Sequence, residues 1–180
     1  ARGDNLARIR AEIESVVARF PWVQMVVLGE LSVFGSGTDR AEPPAGPVER
    51  EFCRIAEALR LWLLPGSLYV RDGGQVYNTI PVINSAGEVV ARHRKMFPFL
   101  PYETGVAPGS EFVVFDVPGC GRMGVSNCYD MWFPETTRTL AAMGAEVILH
   151  PSMTNTIDRD VELAIARANA AVNQCYFFDI

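Results

Sequence analysis

The amino-acid sequence predicts an α/β domain layered around a mixed sheet, and three observations carry that expectation. Helix-period and strand-period segments alternate at both ends of the chain. Between them lies a series of short strands punctuated by glycine- and asparagine-bearing turns. The 180 residues, 49% of them hydrophobic, can bury one sizeable core, and no repeat or low-complexity linker divides them. A single domain over residues 1–180 is expected.

The elements follow in order. Leu6, Ile9, Ile13, Val16, Val17 and Phe20 recur at helical spacing, which predicts an amphipathic helix over 5–20. Val23–Leu28 is continuously apolar and valine-rich, as in a strand covered on both faces, and ends at Gly29-Glu30. Residues 32–47 hold glycine, proline and serine and read as loop. Val48, Phe52, Ile55 and Leu59 mark a second helix.

From Leu63 the pattern turns to strands. Leu68–Val70, Val76–Ile83 and Val89–His93 form a meander around the turns Asp72-Gly73-Gly74 and Asn84-Ser85-Ala86-Gly87. Residues 96–110 are irregular, and Phe112–Val117 with Arg122–Ser126 reads as a hairpin. A helix over Pro134–Met143, a strand at Val147–Leu149, an alanine-rich helix over Asp160–Asn173 and a strand begun at Cys175–Ile180 complete the chain. It opens on a helix and closes on an apolar strand, a bare edge that complete proteins avoid, so a fragment of a longer chain is expected.

Composition excludes several classes. Sixteen basic against twenty-one acidic residues give a net charge of −5 and a pI near 5.1, against a nucleic-acid partner. Two histidines and four dispersed cysteines without a C-x-x-C pair argue against a zinc site, so no metal is expected. No apolar run reaches membrane-spanning length and the N-terminus lacks a signal-like stretch. A soluble cytoplasmic protein with no membrane partner is the expectation.

Several residues have types suited to catalysis, each with a plainer alternative. Gly124-Val125-Ser126-Asn127-Cys128 puts a thiol at the end of a strand shortly before a Pro134-initiated helix. A nucleophile at such an elbow has an exposed side chain and a neighbouring N–H for an oxyanion; a lone cysteine is otherwise core. Glu30 stands where the first strand ends, the edge at which α/β sheets gather catalytic groups. There it is a candidate general base or a solvated carboxylate. Lys95 ends Arg92-His93-Arg94-Lys95, as a fixed ammonium for developing charge or part of a basic surface. Glu103 lies in the loop beyond, a candidate to pair with Lys95 or orient a nucleophile where most loop glutamates do neither, and His93 and His150 are alternative bases for Cys128 or hydrogen-bonded structure.

Taken together, these segments resemble a known family. Leu28-Gly29-Glu30, His93-Arg94-Lys95-Met96-Phe97-Pro98, Tyr102-Glu103 with Pro108-Gly109, and Asn127-Cys128-Tyr129-Asp130-Met131-Trp132-Phe133-Pro134-Glu135 closely resemble the nitrilase, or carbon–nitrogen hydrolase, superfamily. Gly144–Ile148, Pro151-Ser152, Ala166-Arg167-Ala168 and Asn173–Tyr176 add to the match, which runs over nearly the whole chain. The resemblance implies a four-layer α-β-β-α sandwich, here lacking the first strand and the C-terminal strands. It also implies a thiol hydrolase without metal or organic cofactor, assembled as a homodimer or larger homo-oligomer.

By the same resemblance Glu30, Lys95 and Cys128 fall on the Glu-Lys-Cys triad, and Glu103 on the second glutamate of the amidase branches. A small amide is the implied substrate, a nitrile the close alternative. The Tyr129 N–H would join Lys95 at the oxyanion, and Tyr129, Trp132, Tyr102 and Thr154 would contact substrate. Much of the family has arginine where this chain has Trp132, which speaks against a carboxylate-bearing substrate. Phe97–Tyr102 and Thr154–Arg159 are expected to shape the pocket and favour a short or aromatic acyl group. A non-catalytic scaffold and a Cys-His enzyme using His93 or His150 are the remaining readings.

Overall fold

The computed structural model describes residues 2–154 and 157–180. Its elements run α1 (Arg2–Arg19), β1 (Met25–Val27), α2 (Pro47–Leu59), β2 (Trp62–Leu64), β3 (Leu68–Asp72), β4 (Gln75–Ile83), β5 (Val89–Arg94), β6 (Val113–Val117), β7 (Gly121–Val125), α3 (Pro134–Ala142), β8 (Val147–His150), α4 (Arg159–Asn173) and β9 (Tyr176–Asp179). The predicted elements are present. Two further elements form: the short strand β2, where the pattern turns to strands at Leu63, and a 3₁₀ turn over Cys128–Trp132.

Two sheets form. In the first, β1 pairs β2 in parallel, while β4 pairs antiparallel with β2, β3 and β5. Nine-residue β4 is the spine of this sheet: β2 and β3 share one edge of it and β5 takes the other. The second sheet runs β6-β7-β8-β9, with β6 antiparallel to β7 and the other pairs parallel.

The core clusters fix the layer order. Ile13 of α1 and Val48, Phe52 and Ile55 of α2 pack on Leu63, Leu68, Val70 and Ile83 of the first sheet. Leu64, Ile80 and Val82 on its other face meet Phe115, Val117, Val125 and Leu149 of the second. Leu140 of α3 packs with Ile148 on that sheet's outer face. The result is the expected α-β-β-α sandwich. Phe52, Leu63, Leu64, Ile80 and Ile83 are fully buried, each contributing about 1.5–3 kcal/mol by leaving water. The first strand is covered on both faces as expected, Val26 by the helix-side core and Met25 and Val27 by the inter-sheet core. All three stay half-buried because, among the described residues, β1 is an edge strand paired with β2 alone.

Candidate active site

The segments following β1, β5 and β7 converge on one cavity of about 250 Å³, with Glu30, Lys95, Glu103 and Cys128 in its wall. Each is delivered by a defined backbone device. Beyond β1 the chain makes a tight passage in which Gly66, at φ +72°, lies against Gly29; a Cβ there would stand 1.9 Å from the Gly29 carbonyl oxygen. Glu30 follows, its N–H donating to Ser152 O at 3.3 Å, and Leu31 adopts a left-handed φ of 51° with its N–H on Ser67 Oγ.

Lys95 sits one residue past β5, its N–H donating to Asn78 O on β4 at 2.8 Å. Cys128 has a φ of 49°, a conformation uncommon for a side chain of this kind and typical of a nucleophile on a sharp turn. It opens the 3₁₀ helix Cys128–Trp132, and its own N–H donates to Pro151 O at 2.9 Å. The N–H of Asp130 closes the first helical bond on Asn127 O, so helix geometry leaves the Tyr129 N–H without an intrahelical partner.

The charged residues are buried and mutually bonded. Lys95 Nζ lies 2.8 Å from Glu30 Oε1 and 2.7 Å from Glu103 Oε2. Asn78 Nδ2 donates to Glu30 Oε1 at 2.9 Å and to Glu103 Oε1 at 2.7 Å. Tyr69 and the Phe99 N–H also donate to Glu103. Relative exposures of 5% for Glu30 and Glu103 and 1% for Lys95 rule out the solvated-surface readings.

Electrostatics follow from that packing. Burial opposes the Lys95 charge, but the carboxylates of Glu30 and Glu103 outweigh it, so the ammonium is held more firmly than in water. Burial likewise opposes ionisation of Glu103, yet Lys95 and the donors from Phe99 and Asn78 leave its carboxyl below the usual range. The Cys128 thiol is pushed up to about 12, first by burial and then by the Glu30 charge, with Lys95 pulling the other way. It therefore rests as a thiol at neutral pH, with Glu30 beside it.

A second cavity of about 260 Å³ shares Phe99, Cys128 and Met153 with the first and is completed by Tyr129, Trp132, Thr154 and Asp158. The aromatic wall is continuous. Phe99 contacts Tyr129 at 4.8 Å between centroids, Tyr129 contacts Trp132 at 6.2 Å, and Phe97 stacks on Phe133 at 3.7 Å. Tyr102 lines the first cavity, stacked on Phe99. The eight site residues implied by the family resemblance thus line one or other of two joined cavities, whereas the two candidate histidines line neither. Within the expected pocket segment, Asn155 and Thr156 lie outside the described residues, and Arg159 turns to Glu162 and Asp179.

The histidines are engaged elsewhere. His93 Nε2 lies 2.9 Å from Asp130 Oδ2, and His150 Nδ1 is 3.0 Å from Ser126 Oγ. Asp130 also accepts the N–H groups of Met96, Phe97 and Asn127, tying the Lys95 segment to the Cys128 turn. The atoms of His150, Glu162 and Asp179 suited to a metal lie within 4.8 Å of one another. Arg159 Nη1, at 2.9 Å from Glu162 and 2.7 Å from Asp179, already compensates those carboxylates, so the arrangement fits an ion-paired network better than a metal centre.

Sequence reasoning missed Asn78, Asp130, Tyr69 and Met153. The signal for Asn78 was present: a lone amide inside the apolar strand Val76–Ile83 is buried only where partners await it.

The carbon-nitrogen hydrolase family profile matches residues 2–178. The chain belongs to the carbon-nitrogen hydrolase family. It is 29% identical to a formamidase of Bacillus cereus (strain Q1) and 28% identical to one of Bacillus anthracis, in both cases over 98% of this chain. It spans about 55% of the length of these curated relatives. Among solved structures, a Saccharomyces cerevisiae member of branch 10 of the nitrilase superfamily superposes with a TM-score of 0.88 at 28% identity, covering 98% of this chain and 68% of that one. An amidase from Nesterenkonia sp. superposes at 0.87 and 24% identity over 98% of this chain and 69% of its own, sharing the fold. No helix among the described residues of this family member is long and apolar enough to cross a membrane.

Proposed function

We propose that the chain carries the catalytic centre of an amidase that converts a small neutral amide to a carboxylic acid and ammonia through a thioester on Cys128. The observation that carries this reading is the pair of contacts from Lys95 Nζ to Glu30 and Glu103, at 2.8 and 2.7 Å, in the cavity wall that also holds Cys128. Glu30 takes the S–H proton as sulfur attacks the carbonyl carbon, and Lys95 with the Tyr129 N–H holds the resulting oxyanion. The C–N bond breaks as Glu30 returns that proton to nitrogen, releasing ammonia. Water then gives a proton to Glu30 and attacks the thioester; the C–S bond breaks, the acid leaves, and sulfur recovers its proton.

Leu31, Phe99, Tyr102 and Met153 line the first cavity with apolar surface. A volume of about 250 Å³ suits a short aliphatic or aromatic acyl group without charge. The relatives named formamidases support starting from the smallest amide. Ammonia release from formamide, acetamide, propionamide, butyramide and benzamide, each run beside the matching nitrile, tests the proposal. Turnover of at least one amide, lost in Cys128→Ala, is expected. Turnover of nitriles alone would replace the amidase reading, and amide turnover retained by Cys128→Ala would end it.

A further inference from the structure

Asn78 bonds to both glutamates. It lies in the middle of β4, fully buried, and its single amide group meets three partners. Nδ2 donates to Glu30 Oε1 at 2.9 Å and to Glu103 Oε1 at 2.7 Å, while Oδ1 accepts from Asn127 Nδ2 at 3.0 Å. Asn127 immediately precedes Cys128, and the Asn78 carbonyl receives the Lys95 N–H. One residue therefore reaches Glu30 and Glu103 by its side chain, Lys95 by its backbone and the Cys128 turn through its neighbour.

The amide has one workable orientation. A primary amide offers two N–H groups and one carbonyl. Here the two hydrogens match two carboxylate oxygens, and the carbonyl matches the Asn127 donor. Rotating the group by 180° would set a carbonyl against two carboxylates and an NH₂ against an NH₂. Two carboxylates this close would ordinarily push one another toward protonation. An uncharged donor that cannot titrate binds both without supplying a proton for them to share.

We propose that Asn78 is a positioning residue for the hydrolytic centre: it orients Glu30 and Glu103 together and keeps Glu30 aimed to receive the Cys128 proton. This rests on the proposed catalytic role of Glu30. Asn78→Asp tests it with almost no change of shape. The groups facing position 78 are Glu30, Glu103 and Lys95, with Tyr69 on the neighbouring strand and Cys128 beyond Asn127. A third carboxylate among them turns two attractive contacts into repulsions at neutral pH. On acidification the new carboxyl takes up a proton and donates again, to one partner rather than two.

The expected result is a folded Asn78→Asp variant with kcat on the same amides lowered on the order of 10²-fold at pH 7. Its KM should be little changed, and its pH optimum displaced to the acid side of wild type. A purely structural role would lower thermal stability but leave the pH profile of kcat in place. A folded variant with wild-type kcat and an unmoved profile would overturn the proposal. A parallel readout, the rate of Cys128 alkylation by chloroacetamide against pH, needs no turnover. If wild type hydrolyses no amide but Asn78→Asp still shifts that alkylation profile, the amidase reading falls and the positioning role stands. If the alkylation profile is also unmoved, the positioning role falls as well. Should the variant fail to fold, Asn78→Ser, which retains one donor, takes its place with the same two profiles.

Discussion

Among the described residues, two pairs of buried carboxylate side chains each flank one cation, and they differ in what surrounds them. Glu30 and Glu103 flank Lys95 in the wall of the Cys128 cavity, with an uncharged amide holding both. Glu162 and Asp179 flank Arg159, and Glu162 also accepts from Ser152 at 2.5 Å and Thr154 at 3.0 Å. The second cluster holds in place the loop that brings Met153 and Thr154 to the cavities. Its cation is a planar fork bridging two fixed partners; the cation of the first is a point charge on a flexible stem, facing space that a substrate oxygen can enter. Paired buried charges alone therefore do not mark a catalytic centre. The adjoining cavity and thiol make the difference.

Breaking the two clusters separates them most sharply at Cys128, the proposed nucleophile. Cys128→Ala should lower amide turnover by about 10⁴-fold or more in steady-state ammonia release. Arg159→Gln, at the other cluster, should leave kcat within the same order of magnitude. Lys95→Met comes next. It removes the proposed oxyanion donor, for an expected loss on the order of 10²–10³ in kcat. It also leaves two buried carboxylates facing each other, so denaturant unfolding should show about 3–5 kcal/mol less stability. Arg159→Gln should cost less by the same measurement, because the arginine side chain is 39% exposed and water can replace it.

Glu162→Gln sharpens the division of roles. It weakens charge-assisted bonds to Ser152 and Thr154, so KM should rise several-fold while kcat stays within a few-fold. A selective fall in kcat would instead place Glu162 in the chemistry.

The last effect concerns acid. His150 is fully buried against Ser126 and its pKa is lowered to about 3, chiefly by burial and then by the Lys95 charge. The unfolded chain takes up a proton near pH 6.5 that the folded chain refuses. Stability should therefore fall as pH drops below about 6.5, by up to about 1.4 kcal/mol per unit, levelling near the folded value. His150→Gln should flatten that limb in thermal melts collected from pH 7 to pH 4.

Much of this was legible from residue order alone. Periodicity gave the helices and the meander because α1, α2 and α4 each carry an apolar stripe. Glu30, Lys95 and Cys128 stood out because each follows a strand end, where the backbone turns and side chains are freed from the sheet. What was not legible depends on contacts across the sandwich. Asn78 and Asn127 are 49 residues apart in sequence and meet only when the two sheets close. Asp130 joins the Lys95 and Cys128 segments through bonds of sequence separation 33 to 37, which no local pattern announces. The partial burial of the first strand was hidden for the same reason: valine content reports what a strand prefers, and its neighbours decide how deeply it sits.

The most direct test of the central claim is the intact mass of the chain, acid-quenched seconds after mixing with short amides and followed by peptide mapping. An increment equal to the acyl group less one hydrogen, located on Cys128 and absent from Cys128→Ala, is the expected result. An acyl group mapped to another residue would contradict the account. So would an unmodified Cys128 throughout, with amide still hydrolysed by the Cys128→Ala variant.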